Sequence, residues 1–218
     1  MTTFLTTLNT CCGSYTGFTY NGGAVRLPYF LGGKKTPNQI RAAISEGVGS
    51  SASAAEAQKY ATGHPKETGI DCSGLVYYAL NEASSGAVRT FFENKLGLAG
   101  KLTYAYGIGA SNLTNTAYGT KITAAKDIKP GCVFRTDNGG HVIVVHSVNK
   151  NSAGVVTSIV YAHSNGSKGP HHGTITIGDQ TKDLNHSSQT WSDTAYTDAQ
   201  AKSLYNYTLL LTPIANFV

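Results

Sequence analysis

Gly69-Ile70-Asp71-Cys72-Ser73-Gly74-Leu75-Val76 puts a helix-capping residue directly before a cysteine and small residues directly after it. Asp71 is a candidate N-cap: its carboxylate can accept the backbone N–H groups that the first turn of a helix leaves unpaired. Leu75, Val76, Tyr78, Ala79 and Leu80 follow at helical spacing, so the stretch predicts a helix that starts at Cys72 and buries one apolar stripe. A cysteine at the first helical position meets the positive end of the helix dipole, which favours the nucleophilic thiolate over the thiol. The alternative is a buried structural cysteine, since free cysteine is among the most buried residue types. A nucleophile also needs a base, and the base needs an orienting partner.

Candidates for both lie downstream. Lys129-Pro130-Gly131 and Asp137-Asn138-Gly139-Gly140 are turn signals on either side of Cys132-Val133-Phe134, which predicts a strand leading into a hairpin. His141-Val142-Ile143-Val144-Val145-His146 is a β-branched run whose period of two puts His141 and His146 on opposite faces. A third run, Val155 to Ala162, ends in His163 before the turn Ser164-Asn165-Gly166-Ser167. Neighbouring antiparallel strands can hold His141 beside His163, with one ring nitrogen of His141 toward the Cys72 sulfur and the other toward His163.

These residues resemble the NlpC/P60 cysteine peptidases, papain-like enzymes that cut the peptide stems of bacterial cell walls. The resemblance covers roughly Ser53 to Ile177. It rests on Asp71-Cys72-Ser73-Gly74-Leu75-Val76 as the nucleophile motif, on Ile128-Lys129-Pro130-Gly131 before the first core strand, on His141-Val142 and on Tyr161-Ala162-His163-Ser164. It implies Cys72 as nucleophile, His141 as base and His163 as the third member. Tyr60, twelve positions before Cys72, falls where the family commonly has a tyrosine lining the site. Tyr60, Ser73 and His64 are therefore the candidates for substrate or oxyanion contact, beside the backbone N–H of Cys72. The chain departs from the family at Cys132, where an aspartate is usual, at Gly63-His64, where a Gly-Gly pair tends to follow the tyrosine, and at Ile143, where a glycine is common. The fold implied is papain-like, with the nucleophile helix packed on a central antiparallel β-sheet. The reaction implied is hydrolysis of the bond between D-glutamate and the following diamino acid in peptidoglycan.

Independently of the resemblance, helical patterns come first along the chain and strand patterns after, which is an α+β order. Helices are expected at Asn38 to Ser45, Ser53 to Ala61, Val88 to Leu96 and Asp198 to Leu204, and further strands at Gly173 to Ile177 and Tyr205 to Leu211. Residues 1–50, with Cys11-Cys12 in an irregular segment, read as an N-terminal extension packed on the core. Residues 51–218 read as the catalytic domain. An insertion near 100–126 either lines the cleft or decorates the surface.

With 218 residues, 40% of them hydrophobic, the chain is long enough for one well-cored domain, expected as a monomer. Its net charge of +5 suits a polyanionic partner such as peptidoglycan; the basic residues are scattered, so nucleic acid is not expected. No apolar run approaches the roughly 20 residues of a spanning helix, so no membrane insertion is expected. Met1-Thr2-Thr3-Phe4-Leu5 lacks the basic start of a secretory signal. The expectation is a protein made in the bacterial cytoplasm without a signal peptide, acting in the periplasm or wall of a target cell. It would be an antibacterial effector of type VI secretion, with a cognate immunity protein as partner, or a phage lysin. Four cysteines, two of them adjacent, do not read as a disulfide framework. Five histidines lie from His141 to His172 without a His-Glu-x-x-His spacing, so neither a metal nor another cofactor is expected. Two other classes use the same features: transglutaminase-like deamidation or acyl transfer on proteins, and a non-catalytic wall-binding module.

Overall fold

The computed structural model describes residues 2–97 and 107–218, and its first element is a helix, α1 (Thr2–Thr16). The irregular segment expected around Cys11-Cys12 is therefore corrected. Thr and Gly are weak helix formers, but Phe4, Leu8, Cys12 and Tyr15 recur every three or four residues and are all buried. Packing of that stripe outweighs propensity. A short hairpin, β1 (Thr19–Tyr20) and β2 (Gly23–Ala24), follows. Helices α2 (Pro37–Val48) and α3 (Ala54–Gly63) each begin with a capping box, Thr36 with Gln39 and Ser53 with Glu56. The turn α4 (Pro65–Thr68) leads to the nucleophile helix α5 (Cys72–Ala83), and α6 (Ala87–Lys95) packs behind it. The stripe from Leu75 to Leu80 is buried, as its spacing predicts.

The start of the expected insertion, residues 100–106, lies outside the described residues. Its remainder forms α7 (Ala110–Leu113) and an edge strand, β3 (Gly119–Ile122). Then come β4 (Val133–Thr136), β5 (His141–Lys150), β6 (Val156–Asn165), β7 (Gly169–Ile177), β8 (Gln189–Ser192), α8 (Asp198–Leu204) and β9 (Tyr205–Leu211). The strands pair antiparallel in the order β3-β9-β4-β5-β6-β7-β8. The architecture is α+β: a curled antiparallel sheet with helices packed on it.

Both faces of the sheet are covered. Val142, Val144 and Ala162 share one core with α1, α2 and α5, in which Phe4, Leu8, Ile40 and Ile44 join Leu75, Val76 and Leu80. Ile143, Val145, Ile159, Tyr161, Ile175 and Trp191 form a second core on the opposite face. The alternation read in residues 141–145 thus separates two buried layers. Among the described residues no helix is long and apolar enough to cross a membrane.

Candidate active site

Three backbone devices place Cys72. Asp71 caps α5, its carboxylate accepting the Gly74 N–H at 2.6 Å. The segment before α2 runs alongside: Asp71 N–H donates to Gly33 O at 3.0 Å, and Ile70 N–H to Pro28 O at 3.2 Å. A Cβ on Gly33 would lie 2.5 Å from Gly69 O, and one on Gly74 2.5 Å from Gly33 O, so only glycine permits this approach. The third device is a gap in the sheet. The β5–β6 ladder begins at Val144 opposite Ala162; beyond it, Val142 N–H donates to the Cys72 sulfur and Ser164 Oγ to Ile70 O at 2.7 Å. The nucleophile loop therefore takes up hydrogen bonds where β5 and β6 part, one residue from His141.

Lys34 and Asp71 form a buried ion pair at 2.7 Å, with side chains 7% and 6% exposed. Lys34 also donates to Ser73 Oγ, which in turn donates to Asp71 at 3.1 Å. Ser73, expected at the substrate, is thus tied into the support of the loop while still bordering the cleft. Asp71→Ala would remove the cap and leave a buried ammonium without its carboxylate. We expect a loss of about 3 kcal/mol or more of unfolding free energy, measured by urea denaturation.

His141 Nε2 lies 2.8 Å from His163 Nδ1, and His163 Nε2 lies 3.0 Å from Asp193 Oδ2. Asp193 also accepts from Tyr161 Oη at 2.8 Å and from Ala195 N–H at 2.7 Å, and faces His171 Nε2 at 3.1 Å. Burial alone would raise its pKa, but the hydrogen bonds from His163 and His171 hold Asp193 well below the usual carboxylate range. An ionised Asp193 can only accept, so His163 carries its proton on Nε2. Burial keeps His163 neutral, leaving its Nδ1 to accept from His141 Nε2–H. His141 Nδ1 is then the unprotonated nitrogen, in the tautomer a base needs.

Register explains why Asp193 belongs to this set. Ile159 pairs with Ile175 and Ile175 with Trp191, while His163 pairs with His171. Two residues past Trp191, on the same face, is Asp193. At Gly173 a Cβ would lie 2.2 Å from the Tyr161 ring, so its absence lets that ring pass over β7 toward the carboxylate. Sequence reading missed Asp193 because β8 is four residues long and gives little periodic signal.

Two other expectations are corrected. Tyr60 and His64 stack on each other at 4.1 Å and border a separate groove with Val48 and Lys59, because α3 carries them away from α5. The cleft holding Cys72, about 450 Å³, is lined instead by Tyr29, Leu31, Gly32, Lys34, Ile108 and Asn112, among others. A tyrosine followed by a Gly-Gly pair stands in the sequence at Tyr29 and Gly32-Gly33. Residues 34–69 separate it from the cysteine, and a short window before Cys72 misses it. Burial, then the nearby Cys72 and Asp71, raise Tyr29 to about 12, so its hydroxyl stays a donor. Gly107, Ile108, Gly109 and Ala110 also line the cleft, which places that part of the insertion at the site.

The second correction concerns charge. The helix dipole favours a thiolate, yet Cys72 is only 5% exposed, and burial pushes the thiol up. The Val142 N–H and Lys34 pull it down, and Asp71 adds to the rise. Burial, followed by His163 and His171, lowers His141 to about 3. Both groups therefore rest neutral, Cys72 as thiol and His141 as imidazole. Iodoacetamide reacts with the thiolate, so alkylation of Cys72 should climb about tenfold per pH unit and continue past about pH 8.5. A plateau from about pH 5 to 8 would instead mark a preformed ion pair.

His146 lies on the opposite face, bonded to Asn9 at 2.6 Å and to His172 at 3.0 Å. All four cysteines carry free thiols. The spacing of the histidines gave no metal site, but the fold gathers His163, His171 and Asp193 so that one donor atom from each lies within 4.8 Å of the others. No protein-family model, curated protein or solved structure matches the chain.

Proposed function

We propose that the chain is a papain-like cysteine peptidase of the NlpC/P60 kind that hydrolyses peptide stems of bacterial peptidoglycan. The observation that carries this reading is the line of hydrogen bonds from Asp193 through His163 to His141, ending one residue from the N–H that holds the Cys72 sulfur.

In the proposed reaction Cys72 attacks the scissile carbonyl as His141 Nδ1 takes its proton. The imidazolium so formed is stabilised through His163 by the Asp193 carboxylate. The Cys72 N–H, one of the unpaired donors of the first helical turn, and the Tyr29 hydroxyl face the oxyanion. His141 then protonates the leaving amine, and water releases the acyl group from sulfur. The substrate bond, D-glutamyl to diamino acid, is taken from the family resemblance. The net charge of +5 favours association with an anionic wall.

Mass spectrometry of purified wall incubated with the protein tests this reading. The expected product carries a new amino terminus on the diamino acid. Ammonia released from protein glutamine, with intact stems, would assign the thiol to deamidation instead. Binding without any product would leave only a wall-binding module. The reading extends to an antibacterial effector restrained by an immunity protein. Toxicity should then appear when the chain is routed to the periplasm and not when it is kept in the cytoplasm; equal toxicity in both would remove that extension.

A further inference from the structure

Asp193 meets two histidines where the relay needs one. His171 Nδ1 lies 2.8 Å from Gly169 O, and its Nε2 lies 3.1 Å from Asp193 Oδ1. Both partners only accept, so each His171 nitrogen faces an oxygen. The fold thus gathers two imidazole nitrogens around a buried carboxylate, in a place where a metal ion would supply positive charge.

The donor set is held for such an ion. His163 Nε2 and His171 Nε2 stand 3.0 and 3.1 Å from different oxygens of the one carboxylate, and one donor atom from each residue lies within 4.8 Å of the others; the edge of a tetrahedron with zinc bonds of about 2.0 Å is roughly 3.3 Å, so the set draws in to close on an ion. Each donor already has an outer partner. Gly169 O fixes the far nitrogen of His171, His141 that of His163, and Tyr161 Oη and Ala195 N–H fix Asp193. Such outer bonds are what orient metal ligands. The His163 and Asp193 side chains are wholly buried, while His171 is 11% exposed and gives the way in.

We propose that His163, His171 and Asp193 bind a divalent transition metal, with Zn²⁺ as the probe, and that the bound ion switches His141 off. Two imidazoles and a carboxylate suit zinc. Coordination through Nε2 obliges His163 to carry its proton on Nδ1, where it donates to His141 Nε2. His141 then holds its own proton on Nδ1 and cannot take one from Cys72. The proton that His171 Nε2 directs at Asp193 is displaced to solvent by the metal. Metal binding stands apart from the peptidase reading; the switch rests on it.

Binding is measured on the full chain carrying Cys72→Ala, which removes the thiol that lines the cleft, by competition with a chromogenic chelator. One Zn²⁺ per chain is expected. Co²⁺ should give visible d–d bands without a sulfur charge-transfer band. Adding His171→Gln should weaken binding by more than about tenfold, the least that loss of a metal's outer partners costs. His172→Gln, on the opposite face, should leave it unchanged. Absence of stoichiometric binding, or loss with His172→Gln and not with His171→Gln, would overturn the site. Should His171→Gln fail to fold, the Co²⁺ spectrum decides: missing d–d bands overturn the site. In the wild-type chain, cleavage of wall should be half lost at the Zn²⁺ concentration that half-fills the Cys72→Ala protein, and a chelator should restore it. Full cleavage with zinc bound overturns the switch. No cleavage by zinc-free protein counts against the peptidase reading, with the metal site judged on binding alone.

Discussion

Cys72→Ala should fold as the wild type does and release no stem peptide, a fall of at least about 10⁵-fold in kcat. Folding survives because the devices that build the loop do not use the thiol. Asp71 still caps α5, Lys34 still pairs with Asp71, and Ser164 still bonds Ile70 O. What is lost is the sulfur that accepts the Val142 N–H. An unpaired buried donor costs about 1–3 kcal/mol, less where water can reach it from the cleft. The melting temperature, followed by circular dichroism, should therefore drop by only a few degrees. Catalysis has no such reserve, because no second nucleophile stands free at the helix start. Ser73 is engaged with Lys34 and Asp71, and Cys12 and Cys132 are fully buried in the core. Turnover within tenfold of wild type, measured by mass spectrometry of released peptides, would remove Cys72 from the chemistry and the peptidase reading with it.

What could be read in advance follows how local each signal is. The α5 start was legible because cap, cysteine and apolar stripe occupy a dozen consecutive residues, and His141 and His163 because each ends or begins a β-branched run beside a turn. Pairing of those two strands then brings the rings within 2.8 Å. Asp193 was not legible, since its place depends on counting register through β6, β7 and a four-residue strand. Tyr29 was hidden by distance: α2, α3 and α4 are inserted between it and the cysteine whose cleft it lines. Helix α1 was hidden by composition, as threonines mask a stripe that only the core reveals. The protonation state was misjudged for a related reason. A helix dipole can be read from sequence, whereas burial of the thiol and of its base comes from the whole fold, and burial is the larger effect here.

Asp193→Asn should lower kcat about 10⁴-fold with KM nearly unchanged, the size of loss expected when a base is held in the wrong tautomer. The amide has one acceptor and one donor where the carboxylate has two acceptors, so it must turn its NH₂ to one side. Toward Oδ1 the NH₂ would face the Ala195 N–H, 2.7 Å away, and His171, donor against donor. Toward Oδ2 it faces His163 Nε2 and the Tyr161 hydroxyl, and that hydroxyl can turn to accept. The second orientation wins. His163 then accepts on Nε2, carries its proton on Nδ1 and donates to His141, whose own proton moves to the nitrogen that should receive the one from Cys72. Nothing in this sequence touches the cleft lining, which is why KM should hold. A purely structural role for Asp193 would instead lower stability and raise KM together. Nitrogen-15 spectra of the histidine rings separate the two: the His141 proton should be on Nε2 in the wild type and on Nδ1 in the variant. A kcat within tenfold of wild type, or an unchanged His141 tautomer, would break the relay at its far end and leave Asp193 as a bystander to the chemistry.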